Sequence, residues 1–159
     1  MKKLVGLAII LVGVLALASC GASGPGAPTR NIKQVTDGVE AQSGSIYIRD
    51  LLLVSQPDGS AALVATFINE GSTPNALTGI TASGIPLKIS TPSLNGFKLA
   101  LNTPVIFSGD SANATGFVPG LHAAAGTRVN VVVSFAHSPS VTLSALVRLK
   151  SDYFAKVGN

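Results

Sequence analysis

Two hydrophobic patterns divide this chain. From residue 4 to residue 17 it is continuously apolar, broken only by Gly6 and Gly13 and preceded by Lys2 and Lys3. From Gly44 onward the apolar residues instead fall in short runs separated by Gly, Pro, Asn and Asp. The clearest runs lie near the end. Val129, Val131, Val133 and Phe135 alternate with Asn130, Val132 and Ser134, and Val141, Leu143, Ala145, Val147 and Leu149 alternate with Thr142, Ser144, Leu146 and Arg148. Period-two alternation either side of the loop 136–140 predicts a β-hairpin with one buried face. Residues 45–54 predict a strand whose apolar phase shifts between Ile46/Ile48 and Leu51/Leu53. One extra residue flips side chains to the other face, so a bulge is expected at Arg49 and Asp50. Residues 62–69, apolar on both faces, predict a central strand, and the Pro57-Asp58-Gly59 turn signal precedes them. Residues 76–82, 86–90, 97–101, 105–107 and 114–118 predict shorter strands. No stretch after the leader sustains a helical period, and about seven to nine closely spaced strands imply an all-β sandwich or barrel.

The apolar start has its own chemistry. A charged n-region, a short apolar core and small residues form a secretory signal, and the run is shorter than the roughly 20 residues that span a bilayer. The segment ends Leu17-Ala18-Ser19-Cys20. This resembles the lipobox of bacterial lipoproteins, where Leu17, Ala18 and Ser19 would be read by the signal peptidase and the Cys20 thiol would carry a diacylglyceryl group. The alternatives are an ordinary signal peptide with a coincidental cysteine, or a single-pass anchor. Cys20 is the only cysteine, so it has no disulfide partner within the chain, and an exposed free thiol outside the cell is a liability. Two acyl chains hold a protein to a membrane where one does so only weakly. The expected location is the extracytoplasmic face of the cell membrane, with the lipid on Cys20 as the membrane partner.

Composition then divides the rest. Residues 1–19 read as the cleaved signal and residues 20–43 as the lipidated cysteine with a flexible tether. Residues 21–30 hold Gly, Ser, Pro and Ala and no large apolar side chain, and residues 31–43 are polar around Val35 and Val39 and are expected to be loosely held. Residues 44–150 read as one domain and residues 151–159 as a tail. The full chain carries 11 Lys+Arg and 7 Asp+Glu, a net +4, and loss of Lys2 and Lys3 lowers this to +2. The basic residues are scattered singly, which argues against a nucleic-acid partner and against a polybasic membrane patch.

A family resemblance appears at the hairpin. Gly120-Leu121, then Ala124-Ala125-Gly126-Thr127-Arg128, then the runs 129–135 and 141–147, resemble the C-terminal half of the periplasmic copper chaperones called PCu(A)C. The run 62–71, ending Asn69-Glu70-Gly71, resembles that family's strand ending in Asn-x-Gly. The lipobox, the tether and the Val-Thr-Asp-Gly-Val stretch at 35–39 resemble the actinobacterial LpqE-like lipoproteins. The resemblance covers most of residues 45–149 and implies a single cupredoxin-like or immunoglobulin-like antiparallel β-sandwich. It also implies where copper would be held, and there the ligands are missing. The family's His-x-Met pair falls on Thr115-Gly116-Phe117, and its other His/Met cluster falls in residues 89–99, which hold no His or Met. The one Met is Met1, and the two histidines, His122 and His137, lie outside the motif positions. Cu(I) selects thioether, thiolate and imidazole donors, so no resident metal is expected. His122 and His137 are exposed loop residues on this reading, and an atypical copper site using either of them is the alternative.

Catalytic patterns are missing as well. The chain has no Gly-x-Ser-x-Gly elbow, no phosphate-cradling Gly-rich loop with Lys and no His-Glu-x-x-His. His137 and Ser138 are neighbours, but a nucleophile and its base need set geometry and an orienting acid. Asp58, Glu70 and Asp110 sit at or near glycines, where turn chemistry accounts for them. Asn113-Ala114-Thr115 matches a glycosylation acceptor, read as coincidence in a bacterial lipoprotein. The expected function is that of a non-catalytic, membrane-anchored β-sandwich without cofactor, binding an envelope protein or cell-wall component. The alternative is a PCu(A)C-type copper-handling protein.

Overall fold

The computed structural model describes residues 37–90 and 97–158. Residues 1–36, with the expected signal and Cys20, lie outside the described residues, as do residues 91–96 of the segment matched to the copper cluster. The described chain is all-β. Its strands are β1 (Val39–Ser43), β2 (Ile46–Ser55), β3 (Ala61–Asn69), β4 (Asn75–Ala82), β5 (Ile85–Pro86), β6 (Lys88–Ser90), β7 (Lys98–Leu99), β8 (Val105–Ile106), β9 (Thr115–Val118), β10 (Arg128–Phe135) and β11 (Val141–Leu149). Hydrogen bonding runs in the order β5-β4-β10-β11-β2-β3-β9-β6, with β1 on β2, β7 on β4 and β8 on β3. All pairings of named strands are antiparallel except β11 with β2, which is parallel and aligns Val147 with Leu53 and Leu149 with Ser55. That parallel pair joins the two halves of the sandwich.

The core follows from alternation. Val129, Val131, Val133 and Phe135 of β10 are buried between exposed or half-buried neighbours, and Leu143, Ala145 and Val147 of β11 join them. They pack on Ile46, Ile48, Leu51 and Leu53 of β2 and on Leu63, Ala65 and Phe67 of β3. Burying one such side chain contributes about 1.5–3 kcal/mol. The expected bulge is present: Arg49 pairs with Thr66 and Leu52 with Val64, so β2 spends one residue more than β3 over that step. Asp50 has φ 52, a left-handed conformation that Asp tolerates better than most residues. Gly38 sits against the Asp50 backbone so closely that a Cβ would lie 2.6 Å from the Asp50 Cα.

Three departures from the alternation pattern have physical causes. The sheet starts before Gly44, because Val39–Ser43 pairs with β2. This strand offers only Val39 and Ala41 as apolar side chains, and the β2 backbone holds it. Leu149, expected on the inner face, is 60% exposed, since β11 there runs past the last core layer. The segment after residue 150 is folded onto the domain. A 3-10 turn at Asp152–Phe154 carries Phe154 and Val157 onto Leu52, Val54 and Val64, on the outer face of β2 and β3. This cover explains why β2 and β3 are apolar on both faces. Among the described residues no helix is long and apolar enough to cross a membrane.

Candidate functional site

The β2–β3 turn builds the surroundings of His122. Gln56 N–H donates to the Ser60 carbonyl at 2.8 Å, and Gly59, at φ 80, closes the turn. The Asp58 carboxylate accepts from the Ser60 hydroxyl at 2.6 Å and from the Ser60 N–H at 2.9 Å. These bonds, first the hydroxyl and then the N–H, hold its pKa below the ordinary 3.8, with a smaller contribution from nearby His122. His122 N–H donates to the Gly59 carbonyl at 2.9 Å, and its ring lies over Gly59 where a Cβ would collide with it. His122 has φ 47 and is exposed. This is a packed turn carrying one imidazole and one carboxylate.

His137 belongs to the other end of the sandwich. Its N–H donates to Asn75 Oδ1 at 3.0 Å, and Asn75 Nδ2 donates to Ser138 Oγ at 2.9 Å. Ser138 therefore serves the loop, beside Gly44 at the β1–β2 turn. The same end holds Asn69, which is fully buried. Asn69 Nδ2 donates to the Thr73 and Leu99 carbonyls, and its Oδ1 accepts from Ser45 Oγ and Gly71 N–H. The two imidazoles are thus fixed to turns at opposite ends of β2. That strand has 10 residues, and at about 3.3 Å per residue it separates its ends by roughly 30 Å. Both histidines are exposed loop residues, as the sequence suggested, and one ion cannot reach both within a monomer. Among the described residues no three His, Cys, Asp or Glu side chains converge.

The structure does bring together the two segments that the resemblance marks for copper. β6 pairs with β9, aligning Lys88 with Phe117, Ile89 with Gly116 and Ser90 with Thr115. Exposed hydroxyls and a half-buried phenyl ring stand there. Gly116 faces inward, where a Cβ would lie 3.3 Å from Leu63 and the Phe107 ring. Asn113, the apparent glycosylation acceptor, is used by the fold: its Oδ1 accepts from Ile106 N–H at 2.8 Å and its Nδ2 donates to the Pro104 carbonyl at 2.9 Å.

Sequence reasoning missed the surroundings of the C-terminal segment. A groove of about 370 Å³ runs along Val147, Arg148, Leu149, Tyr153 and Phe154. A second, of about 570 Å³, lies between β3, the 107–112 loop and residues 153–158. Neither contains a histidine. The aromatic Tyr153-Phe154 pair so close to the end of the strand pattern was the available signal.

The fold is that of a cupredoxin-like β-sandwich. No family model matches the chain, and no curated protein matches it. Solved structures do. The copper-bound PCuAC domain from PmoF2 superposes with a TM-score of 0.60 at 16% identity, covering 70% of this chain and 98% of that one. The apo PmoF2 PCuAC domain gives 0.61 at 15% identity, covering 72% and 98%. The apo PCuAC domain from PmoF1 gives 0.58 at 17%, covering 70% and 99%. The chain therefore shares its fold with PCuAC domains.

Proposed function

We propose that this chain is an extracytoplasmic, lipid-anchored, non-catalytic protein whose β-sandwich serves as a binding or structural module of the cell envelope, in the manner of the LpqE-like lipoproteins it resembles. The observation that carries the module reading is the donor set. The domain has no Met or Cys, its two histidines sit at opposite ends of β2, and Ser90 and Thr115 occupy the place where the related fold would present soft ligands. The anchor reading rests on the leader and Cys20. Replacing Cys20 with Ala is expected to leave an uncleaved precursor or to release the protein from membranes in cell fractionation. A Cys20→Ala chain cut before residue 20 and still membrane-bound would sink it.

A specific observation favours a second reading, copper handling. The three similar structures are all PCuAC domains, and one is copper-bound. These comparisons support copper handling better than they support an unspecified envelope module, whereas the residue inventory supports the module. Under the copper reading either imidazole, alone or with a donor from a partner molecule, would hold the metal. A competition titration against a Cu(I) chelator separates the two. The wild-type domain is expected not to compete. Stoichiometric competition that disappears in His122→Ala/His137→Ala would establish copper handling instead.

A further inference from the structure

We propose that the groove between β3, the 107–112 loop and the C-terminal segment binds a small zwitterion, an apolar body with an ammonium at one end and a carboxylate at the other. The proposal deepens the binding-module reading and rests on it. The groove holds about 570 Å³, within the roughly 300–1,000 Å³ of small-molecule sites. Its apolar lining comes from Val64 and Phe107, both buried, and from Phe154 and Val157 of the returning chain. Hydroxyls stand among them at Thr66 and Thr115. Thr115 falls where the resemblance sets a copper ligand. A hydroxyl there can hydrogen-bond an organic molecule but is no soft donor for Cu(I).

The charges select the ligand. Three charged residues line the groove, Asp50, Asp110 and Lys156. Asp50 already has a partner within the fold. Asp110 and Lys156 do not: among the described residues neither side chain makes a hydrogen bond or an ion pair, with each other or with a third group. Asp110 differs in this from Asp58. The Asp58 carboxylate closes its own turn through Ser60, whereas the turn at Asp110 is closed by backbone alone, with Ala112 N–H donating to the Gly109 carbonyl at 3.0 Å. Lys156 differs likewise from its neighbours, since Arg148 is paired with Asp37 and Lys150 with Gln56. A carboxylate on the loop wall and an ammonium on the C-terminal wall, with apolar side chains between, complement a ligand of opposite charge at each end. A ligand with a single charge leaves one of them unused. Both groups are exposed, so each ion pair raises affinity by a factor of about two to five.

The test uses the acyl-free chain, residues 20–159 with Cys20→Ser, and three probes that share one apolar body: 6-aminohexanoate, hexylamine and hexanoate. Amide chemical shifts follow each titration near neutral pH and at low salt. The zwitterion is expected to move the Thr66, Ser108 and Thr115 amides and to bind about two to five times more tightly than either singly charged probe. Asp110→Asn is expected to remove its advantage over hexanoate, and Lys156→Gln its advantage over hexylamine. Neither side chain has a partner to lose, so both variants should keep the wild-type melting temperature. Lys88→Gln, outside the groove, is expected to leave the order of the probes unchanged. No shifts at the groove, a zwitterion bound no more tightly than hexylamine or hexanoate, or variants that keep the wild-type order overturn the proposal. The Cu(I) competition judges the underlying reading separately. A chain that takes Cu(I) from the chelator removes the module reading on which this site rests. A chain that neither competes for Cu(I) nor binds the zwitterion keeps that reading and loses this site.

Discussion

Exchanging Asn69 for Asp replaces one heavy atom, the amide nitrogen, with oxygen and should cost the domain a large part of its stability. Asn69 is fully buried at the end of β3. Its Nδ2 donates to the Thr73 carbonyl at 2.8 Å and the Leu99 carbonyl at 3.1 Å, and its Oδ1 accepts from Ser45 Oγ at 3.0 Å and Gly71 N–H at 3.1 Å. Asp keeps the size and both acceptances but turns an oxygen towards two carbonyl oxygens. Each buried acceptor left without its donor costs about 1–3 kcal/mol, so the loss near neutral pH is roughly 3–4 kcal/mol, against a typical total of about 5–15 kcal/mol. Burial and the facing carbonyls raise the new carboxyl's folded pKa above its unfolded value of about 3.9. The sign follows: the protonated acid restores one donor, so the deficit is smallest below the unfolded pKa and grows as pH rises to the folded pKa. Urea unfolding of wild type, Asn69→Asp and Asn69→Ala across this range measures it. A deficit for Asn69→Asp that does not change with pH, or none at all, would refute the reasoning. The Asn69→Ala loss should show no such slope.

Two further outcomes are expected. Val131→Asp and Leu143→Asp should unfold the domain, since each puts an unpaired charge at a core position costing several kcal/mol, while Val132→Asp on the half-buried opposite face should melt much closer to wild type; equal losses in all three would mean both faces of β10 are dry. The Asp58 carboxyl should titrate below 3.8 by NMR and move upward in Ser60→Ala, because the Ser60 hydroxyl is the largest cause of its lowering; this depressed group favours the fold above its unfolded pKa, and the contribution is lost as pH falls. An unmoved midpoint in Ser60→Ala would show that the Ser60 N–H alone suffices.

Strands were legible in the sequence where one face is wet and the other dry. That is why the β10–β11 hairpin and the bulge at Arg49 and Asp50 could be read from alternation alone. β1 could not, because Val39 and Ala41 offer too little apolar contrast and the strand is held by backbone bonds to β2. Residues 86–90 form two short strands rather than one, with Leu87 N–H bonded back to the Ile80 carbonyl between them. The docked C-terminal segment was hidden for a different reason. Phe154 and Val157 have no periodic neighbours, and the apolar outer positions of β2 and β3 that receive them could equally have marked a fully internal strand. At the candidate site, the exposure of His122 and His137 was legible from their loop positions. The placement of His122 over Gly59 depends on a contact between distant segments that no local pattern records.

The C-terminal segment also bears on the face where the resemblance would set copper ligands. The resemblance sets the family's His-x-Met pair on Thr115 and Phe117, which alternate with the inward Gly116 and Val118 and so share the outer face of β9. Here that face has another use. Gly158 lies so close to Phe117 that a Cβ on it would sit 3.0 Å from the ring and 3.1 Å from the Ala62 Cβ. Its φ of 80 and the bond from Gln56 Nε2 to the Val157 carbonyl set the path of the segment there. Phe117 is thus a packing partner for the returning chain, continuous with the cover over Leu52, Val54 and Val64. A ligand at Phe117 would need its donor free to meet an ion, and this cover replaces that freedom with apolar contact. Substituting Met at Phe117 and His at Thr115 would supply two soft donors without uncovering the first of them. A donor placed at Phe117 would therefore lie against the chain near Gly158.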